Sequence, residues 1–180
     1  MIPELNPRQR AWVEVSPAAI RANARALCQH LGTRTQLMAV VKADGYGHGA
    51  ETVARAALQG GATSLGVATL QEGLELRRAG LEAPVLLLSN LNEPDDLRTC
   101  LHWRLMPTLS SLRDAQLCNA LAADSGRCFD VQLKIDTGMA RLGCSLSDSH
   151  QTAAGLQSLE HLNLVGIYSH LACADEADDA

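Results

Sequence analysis

Short apolar runs alternate with longer amphipathic segments along most of this 180-residue chain. The runs have the length of β-strands, and the segments between them carry apolar residues at the three- and four-residue spacing of a helix. Strands are predicted over Leu37–Val41, Ser64–Ala68, Pro84–Leu88, Leu105–Leu109, Phe129–Ile135 and Leu164–Ser169. Helices are predicted after each of the first five strands, near residues 50–58, 70–78, 94–102, 112–123 and 148–159.

The chain before the first of these strands predicts one more strand and one more helix. Trp12–Val15 has the composition of a short strand. Ser16 is a good helix-capping residue, and Pro17 suits the first turn of a helix. The predicted helix has an apolar face formed by Ile20, Ala24, Leu27 and Leu31.

The alternation of strands and helices predicts an α/β fold with a parallel sheet and right-handed crossovers. An open doubly wound sheet and a barrel both satisfy this pattern. No Gly-x-Gly-x-x-Gly segment follows any predicted strand, which weakens the nucleotide-binding form of the open sheet. In βα barrels, functional residues gather at the carboxyl ends of the strands. Lys42, Lys134, Asp136 and His170 all lie at or just past predicted strand ends.

The segment AVVKADGYGHG, residues 39–49, is the strongest candidate for chemistry. An apolar strand delivers Lys42 and then breaks into a glycine-rich loop around Tyr46 and His48. A lysine amine desolvated at a strand end loses its proton more easily and becomes a nucleophile, which can form a Schiff base with an aldehyde. On spacing alone, a lysine whose ammonium extends from the strand end into solvent is an equal alternative.

Three segments carry a family resemblance. Residues 39–49, KIDTGMARLG at 134–143 and IYSHLACADE at 167–176 resemble, in the expected order, signature segments of bacterial alanine racemases. That family has a (β/α)8 barrel of TIM type followed by a β-rich domain. The resemblance implies that residues 16–180 are a partial barrel, truncated after about six strands. It also implies that residues 1–15 pack on the C-terminal domain in the family, and that this domain is absent here.

The resemblance implies that Lys42 binds pyridoxal 5'-phosphate (PLP) as a Schiff base and acts as one of two acid–base groups at the substrate α-carbon. It implies that the Tyr46 hydroxyl holds the cofactor phosphate. His170 would support a later arginine that faces the pyridine nitrogen, although a lone histidine on an apolar strand is more often a core residue. His48 is interpreted as an opener of the following helix.

On the substrate side, the resemblance implies that Arg141 contacts the phenolic oxygen of the cofactor and the substrate carboxylate. A guanidinium suits a carboxylate through its bidentate geometry. Met139 lies near the substrate carboxylate in relatives, and here packing is an alternative role. Lys134 resembles a lysine that is carbamylated in some members, and an unmodified lysine in an ion pair with Asp136 is equally plausible.

The implied activity is the interconversion of L- and D-alanine, which supplies D-alanine to peptidoglycan. Inversion requires an acid and a base on opposite faces of the α-carbon. In the family the second group is a tyrosine of the C-terminal domain, and the other subunit of a homodimer completes the site, so this chain is expected to be inactive alone. The alternatives are a PLP-binding protein without racemase activity that serves PLP homeostasis, a decarboxylase barrel and a non-catalytic remnant. Serine or broad-spectrum substrates also remain open.

The composition argues against some classes of partner and site but does not itself indicate a function. The net charge of −5 gives no reason to expect nucleic acid or an anionic membrane as a partner. No apolar run approaches the length of about 20 residues that a membrane span needs. The six cysteines lack the paired spacing of a metal site, so no metal is expected. We interpret the cysteines as reduced thiols of a cytoplasmic protein.

Overall fold

Six parallel strands lie side by side in chain order, β1 to β6, in the computed structural model, which describes residues 12–176. The strands are β1 (Met38–Val40), β2 (Ser64–Val67), β3 (Val85–Asn90), β4 (Met106–Leu109), β5 (Phe129–Ile135) and β6 (Leu162–Ser169). A doubly wound sheet reverses its strand order at a switch point. The strictly sequential order confirms the prediction of a (β/α) barrel portion with six strands.

Within the described part of the chain, seven helical segments accompany the strands. They are α1 (Pro17–Leu31), α2 (Lys42–Gly47), α3 (Ala50–Gly60), α4 (Leu70–Arg78), α5 (Pro94–His102), α6 (Leu112–Asp124) and α7 (Ser149–Gln157). Side-chain caps set several of their starts. The Ser16 hydroxyl accepts from the Ala19 N–H, and Thr69 and Glu72 form a reciprocal capping box at α4.

The apolar core lies between the sheet and the helices. In β3, Val85 and Leu87 are fully buried in the same hydrophobic cluster as Leu97 of α5 and Leu121 of α6. Leu86 alternates to the opposite face of the sheet and lines a cavity there. Burial on both faces is typical of parallel strands and explains why β3 is an almost continuous apolar run.

The structure differs from the sequence-based expectation at two places. The strand predicted at Trp12–Val15 does not form, and Trp12 and Val13 are largely exposed. A strand requires a hydrogen-bonding neighbour, and none of the strands in residues 12–176 pairs with this segment. The remainder of the predicted segment 1–15 lies outside the described residues. The second difference is Lys42–Gly47, predicted as a loop, which forms the helical turn α2.

Cysteine chemistry and hydropathy agree with a compact apolar interior. All six cysteines are free thiols, and Cys100 and Cys118 are fully buried. Burial raises the pKa of both thiols, that of Cys118 to about 12, which keeps them protonated.

Within residues 12–176, no helix combines the length and the apolar character needed to cross a membrane.

Candidate active site

A cavity of about 930 Å³ opens at the carboxyl ends of the strands. It brings together five of the six predicted site residues, namely Lys42, Tyr46, Lys134, Arg141 and His170. The sixth, Met139, does not line the cavity and is 37% exposed on a neighbouring loop. Apolar side chains from β1 and β3 also line the cavity, including Val40, Leu86 and Leu88.

The residues that follow Lys42 form a left-handed turn. Ala43, Asp44, Gly45 and Tyr46 have φ values of 51°, 52°, 62° and 56°, with ψ between 36° and 50°. Left-handed conformation costs each non-glycine residue roughly 1–2 kcal/mol, and successive residues rarely adopt it. The turn nevertheless places the Tyr46 side chain, 58% exposed, beside Lys42 at the cavity. Strained backbone of this kind concentrates at functional sites.

Several local contacts hold this turn. The Asp44 carboxylate accepts from the Ala50 N–H at 2.8 Å, which caps the start of α3. A ring nitrogen of His48 lies 3.1 Å and 3.0 Å from the carbonyl oxygens of Gly45 and Tyr46. Our interpretation of His48 as the opener of the next helix was therefore wrong. Asp44 caps that helix, and His48 binds the carbonyl groups of the turn.

Gly45 makes the turn compatible with α3. It is buried with a φ of 62°, and a Cβ at this position would lie 2.9 Å from Cγ2 of Val53 and 3.3 Å from the Ala50 backbone. Any other side chain would therefore push the turn away from α3 as well as strain its backbone.

Lys134 is the most buried charged side chain of the cavity, with 7% of its surface exposed. Burial lowers its pKa, and the positive charges of Arg141 and Lys42 act in the same direction against the opposing effect of Asp136. Its Nζ lies 5.6 Å from the centre of the Tyr168 ring, within the range of a cation–π contact. The ion pairs among residues 12–176 are Arg55–Glu51 and Arg98–Asp95, so the alternative of a Lys134–Asp136 ion pair is wrong.

Asp136 instead organises the loop that carries Arg141. Its carboxylate accepts from the N–H groups of Gly138 and Ala140 at 2.9 Å and 3.0 Å, and these bonds hold the pKa of the carboxyl below its usual range. The Cys144 N–H then returns to the Lys134 carbonyl, which closes the loop. The carboxylate keeps its negative charge in these bonds, and this charge opposes the lowering of the Lys134 pKa by burial.

Tyr168 is a cavity residue that the sequence analysis missed. Its hydroxyl lies 2.7 Å from Oγ1 of Thr108, which donates its single proton to the Leu87 carbonyl at 2.6 Å. The Tyr168 hydroxyl must therefore be the donor to Thr108. Burial raises the pKa of the phenol, so this proton stays in place at neutral pH. Strand alternation puts Tyr168 on the same face as His170, and this signal could have identified it.

The described lining of the cavity is cationic. Lys42, Lys134 and Arg141 contribute positive groups, and no Asp or Glu lines the cavity. The other polar groups are neutral and include Ser89, Asn90 and Gln132. His170 is exposed at the edge of the cavity, beyond the end of β6. This arrangement suits an anionic ligand that presents a carbonyl group to a primary amine.

Comparison with known proteins gives a consistent result. Residues 15–180 match the family model for the alanine racemase N-terminal domain. The chain is 60% identical over 172 residues to an alanine racemase of Prochlorococcus marinus and 51% identical over 173 residues to one of Synechocystis sp.. These matches cover 96% of this chain but 45% and 46% of the relatives, so the chain spans under half of their length.

Solved structures agree in fold. The crystal structure of alanine racemase from E. faecalis superposes with a TM-score of 0.85 at 37% identity, over 91% of this chain and 44% of that chain. Alanine racemase from Streptomyces coelicolor superposes with a TM-score of 0.80 at 38% identity. The chain therefore belongs to the alanine racemase family and corresponds to an N-terminal portion of its members.

Proposed function

We propose that this chain is the PLP-binding portion of an enzyme that interconverts L- and D-alanine. The observation that carries the proposal is the grouping of Lys42, Tyr46, Lys134 and Arg141 around one cavity whose described lining contains no carboxylate. The high identity to proteins named alanine racemase favours this reaction over PLP homeostasis and over decarboxylation. Alanine is accordingly the proposed substrate.

The donor set of the cavity fits PLP, which carries an aldehyde, a phosphate and a phenolic oxygen. Lys42 supplies a primary amine for the aldehyde, and the exposed Tyr46 hydroxyl beside it can donate to the phosphate. Arg141 supplies a guanidinium for the phenolic oxygen, and His170, which also lines the cavity, would support a later arginine that faces the pyridine nitrogen. When bound, the cofactor supplies an electron sink that makes the α-proton of the amino acid acidic.

The side chains of this chain have separate tasks in the proposed reaction. The Lys42 amine takes or returns the α-proton on one face of the substrate. Arg141 pairs with the substrate carboxylate, and Lys134 lies close enough to influence its position through their mutual repulsion. We propose Met139, on the same loop, as a neighbour of the substrate carboxylate in the complete enzyme. The acid–base group for the opposite face is proposed to come from a C-terminal domain.

We propose that Lys134 is the site of carbamylation. A lysine reacts with carbon dioxide as the neutral amine, and the lowered pKa of Lys134 increases that fraction. A carbamate would also convert repulsion of Arg141 into attraction. Carbon-13 NMR of the chain in labelled bicarbonate should show a carbamate signal that is lost in Lys134→Arg, and an unchanged spectrum in that variant would refute the assignment.

The remaining features of the proposal concern the complete enzyme. We propose that residues 16–180 belong to its barrel and that residues 1–15 pack on its C-terminal domain. We also propose a homodimer in the cytoplasm that provides D-alanine for peptidoglycan. These statements are supported by the family membership of the chain.

The proposed function is tested by mixing the 180-residue chain with a separately expressed C-terminal portion of the Prochlorococcus marinus relative, in the presence of PLP. D-alanine formation from L-alanine is expected for the mixture, and neither polypeptide alone should be active. Lys42→Ala should abolish the activity of the mixture. Its retention in Lys42→Ala would contradict the proposal, and so would a well-folded, PLP-loaded complex without any racemisation.

A further inference from the structure

The carboxylate of Glu72 connects the start of α4 with the left-handed turn α2. Its Oε1 accepts from the Ala43 N–H at 2.7 Å, and its Oε2 accepts from the N–H groups of Ala68 and Thr69 at 2.7 Å and 3.0 Å. A capping box requires only the bond from Glu72 to the N-cap residue Thr69. The bond to Ala43, 29 residues away in the chain, therefore serves something besides the helix start.

The position of Ala43 gives this bond its importance. Ala43 follows Lys42 directly and begins the series of left-handed residues, with a φ of 51°. A backbone bond from the Gly45 N–H to the Val41 carbonyl also spans the start of the turn. The other side-chain contacts involve its later residues, where Asp44 binds Ala50 and His48 binds the Gly45 and Tyr46 carbonyl groups. Glu72 thus fixes the end of the turn that is adjacent to the reactive lysine.

The type of bond suits this role. A carboxylate that accepts from a backbone N–H forms a charge-assisted bond, which is stronger than a bond between neutral groups. Water can satisfy the exposed Ala43 N–H, but it cannot oppose the tendency of Ala43 and Asp44 to return to right-handed conformations. Without Glu72, the turn should populate its observed conformation less often.

We infer that Glu72 is a positioning residue that holds the backbone of the left-handed turn and thereby directs Lys42 and Tyr46 into the cavity. The inference rests on the proposed function only in taking Lys42 as the residue that attaches PLP. Affinity for a ligand falls in proportion to the population of the competent conformation, so loss of Glu72 should weaken PLP attachment.

Three variants distinguish the positioning role of Glu72 from its contribution to capping α4 and from the general effect of a negative charge on this helix. Glu72→Gln keeps an amide oxygen for the capping box but places a nitrogen, which cannot accept, within reach of one of the bound N–H groups. Thr69→Ala removes the hydroxyl that caps α4 and leaves the Glu72–Ala43 bond. Glu75→Gln removes one charge from the same helix. Among the described residues, the Glu75 side chain accepts a hydrogen bond only from Gln71.

Two measurements are made on each variant of the 180-residue chain. The first is the PLP concentration that gives half-maximal attachment, detected after borohydride reduction. The second is amide hydrogen exchange in residues 40–49 without cofactor. For Glu72→Gln we expect about tenfold weaker attachment, the factor expected for loss of one charge-assisted hydrogen bond, together with faster exchange. Thr69→Ala should lower the thermal midpoint without weakening attachment, and Glu75→Gln should match the wild type in both measurements.

Equal attachment and exchange in Glu72→Gln and the wild type would overturn the inference. It would also be overturned if Thr69→Ala weakened attachment as much as Glu72→Gln, because helix capping would then explain both. If Glu72→Gln does not fold, Glu72→Asp provides the same test with the charge retained and the reach shortened. If the wild type attaches no PLP, the proposed function fails, and the exchange measurement still decides the role of Glu72.

Discussion

Asp136 is the residue whose charge most directly controls the loop that carries Arg141. Its ionised form accepts two backbone N–H bonds within the loop, and the pKa of the carboxyl is lowered in the folded chain. Folding therefore favours the ionised form, so this contribution to stability is complete above the ordinary pKa of about 3.9. It disappears as the pH falls through the lower pKa of the folded state.

We therefore predict an acid-dependent effect of Asp136→Asn on stability. The variant should be less stable than the wild type near neutral pH, and the gap in thermal midpoint should shrink as the pH falls below about 4. Asp124→Asn, at the exposed end of α6, controls for the loss of one surface charge. If the thermal midpoints of Asp136→Asn and the wild type differed equally at pH 7 and pH 3, the carboxylate would not order the loop.

The contact between the helices α1 and α3 depends on one glycine. Gly60 is buried at the end of α3, where a Cβ would lie 2.5 Å from the Arg21 carbonyl oxygen and 2.6 Å from Cβ of Ala24. The backbone of α1 cannot move away without losing its packing on α3. This close approach explains why Ala24 of α1 is buried.

We predict that Gly60→Ala destabilises the chain by about 1–3 kcal/mol, because overpacking forces the two helices apart. Urea denaturation would measure the change. Gly155→Ala in α7 is the matched control, since its Cβ would meet Cδ1 of Leu112 at 2.8 Å, which is the mobile end of a side chain. If Gly60→Ala lowered the free energy of unfolding less than Gly155→Ala, the proposed close packing of α1 on α3 would be contradicted.

Part of the fold and part of the candidate site could be predicted from the sequence. The six strands and the grouping of Lys42, Lys134 and His170 were predictable, because apolar periodicity locates parallel strands and strand ends meet at one edge of the sheet. The left-handed turn was not predictable. Ala43 and Tyr46 have no intrinsic preference for it, and contacts with α3 and Glu72, distant in the chain, stabilise it. The family resemblance placed Met139 near the substrate carboxylate, but Met139 does not line the cavity.

The sheet has two edges without a partner strand among the described residues. β1 pairs only with β2, and β6 pairs only with β5. On β6, Val165 and Ile167 are 50% and 53% exposed on the same face. Unpaired edges with exposed apolar residues promote association with another chain.

We therefore predict that the 180-residue chain associates with itself in a concentration-dependent manner, measurable by sedimentation velocity. Ile167→Lys should shift the distribution toward monomer, because a lysine on an edge strand opposes pairing. Leu146→Lys is the control, since Leu146 is also exposed but lies outside the strands. If the control reduces association as much as Ile167→Lys, the β6 edge is not the surface responsible.

The assignment of Lys42 is tested by identifying the residue that attaches PLP. The chain would be incubated with PLP, reduced with borohydride, digested and mapped by mass spectrometry. We predict a pyridoxyl adduct on Lys42, its loss in Lys42→Ala and no transfer of the adduct to Lys134, the other lysine that lines the cavity. A folded chain that carries the adduct on Lys134, or carries none, would contradict the assignment of Lys42 and with it the proposed function.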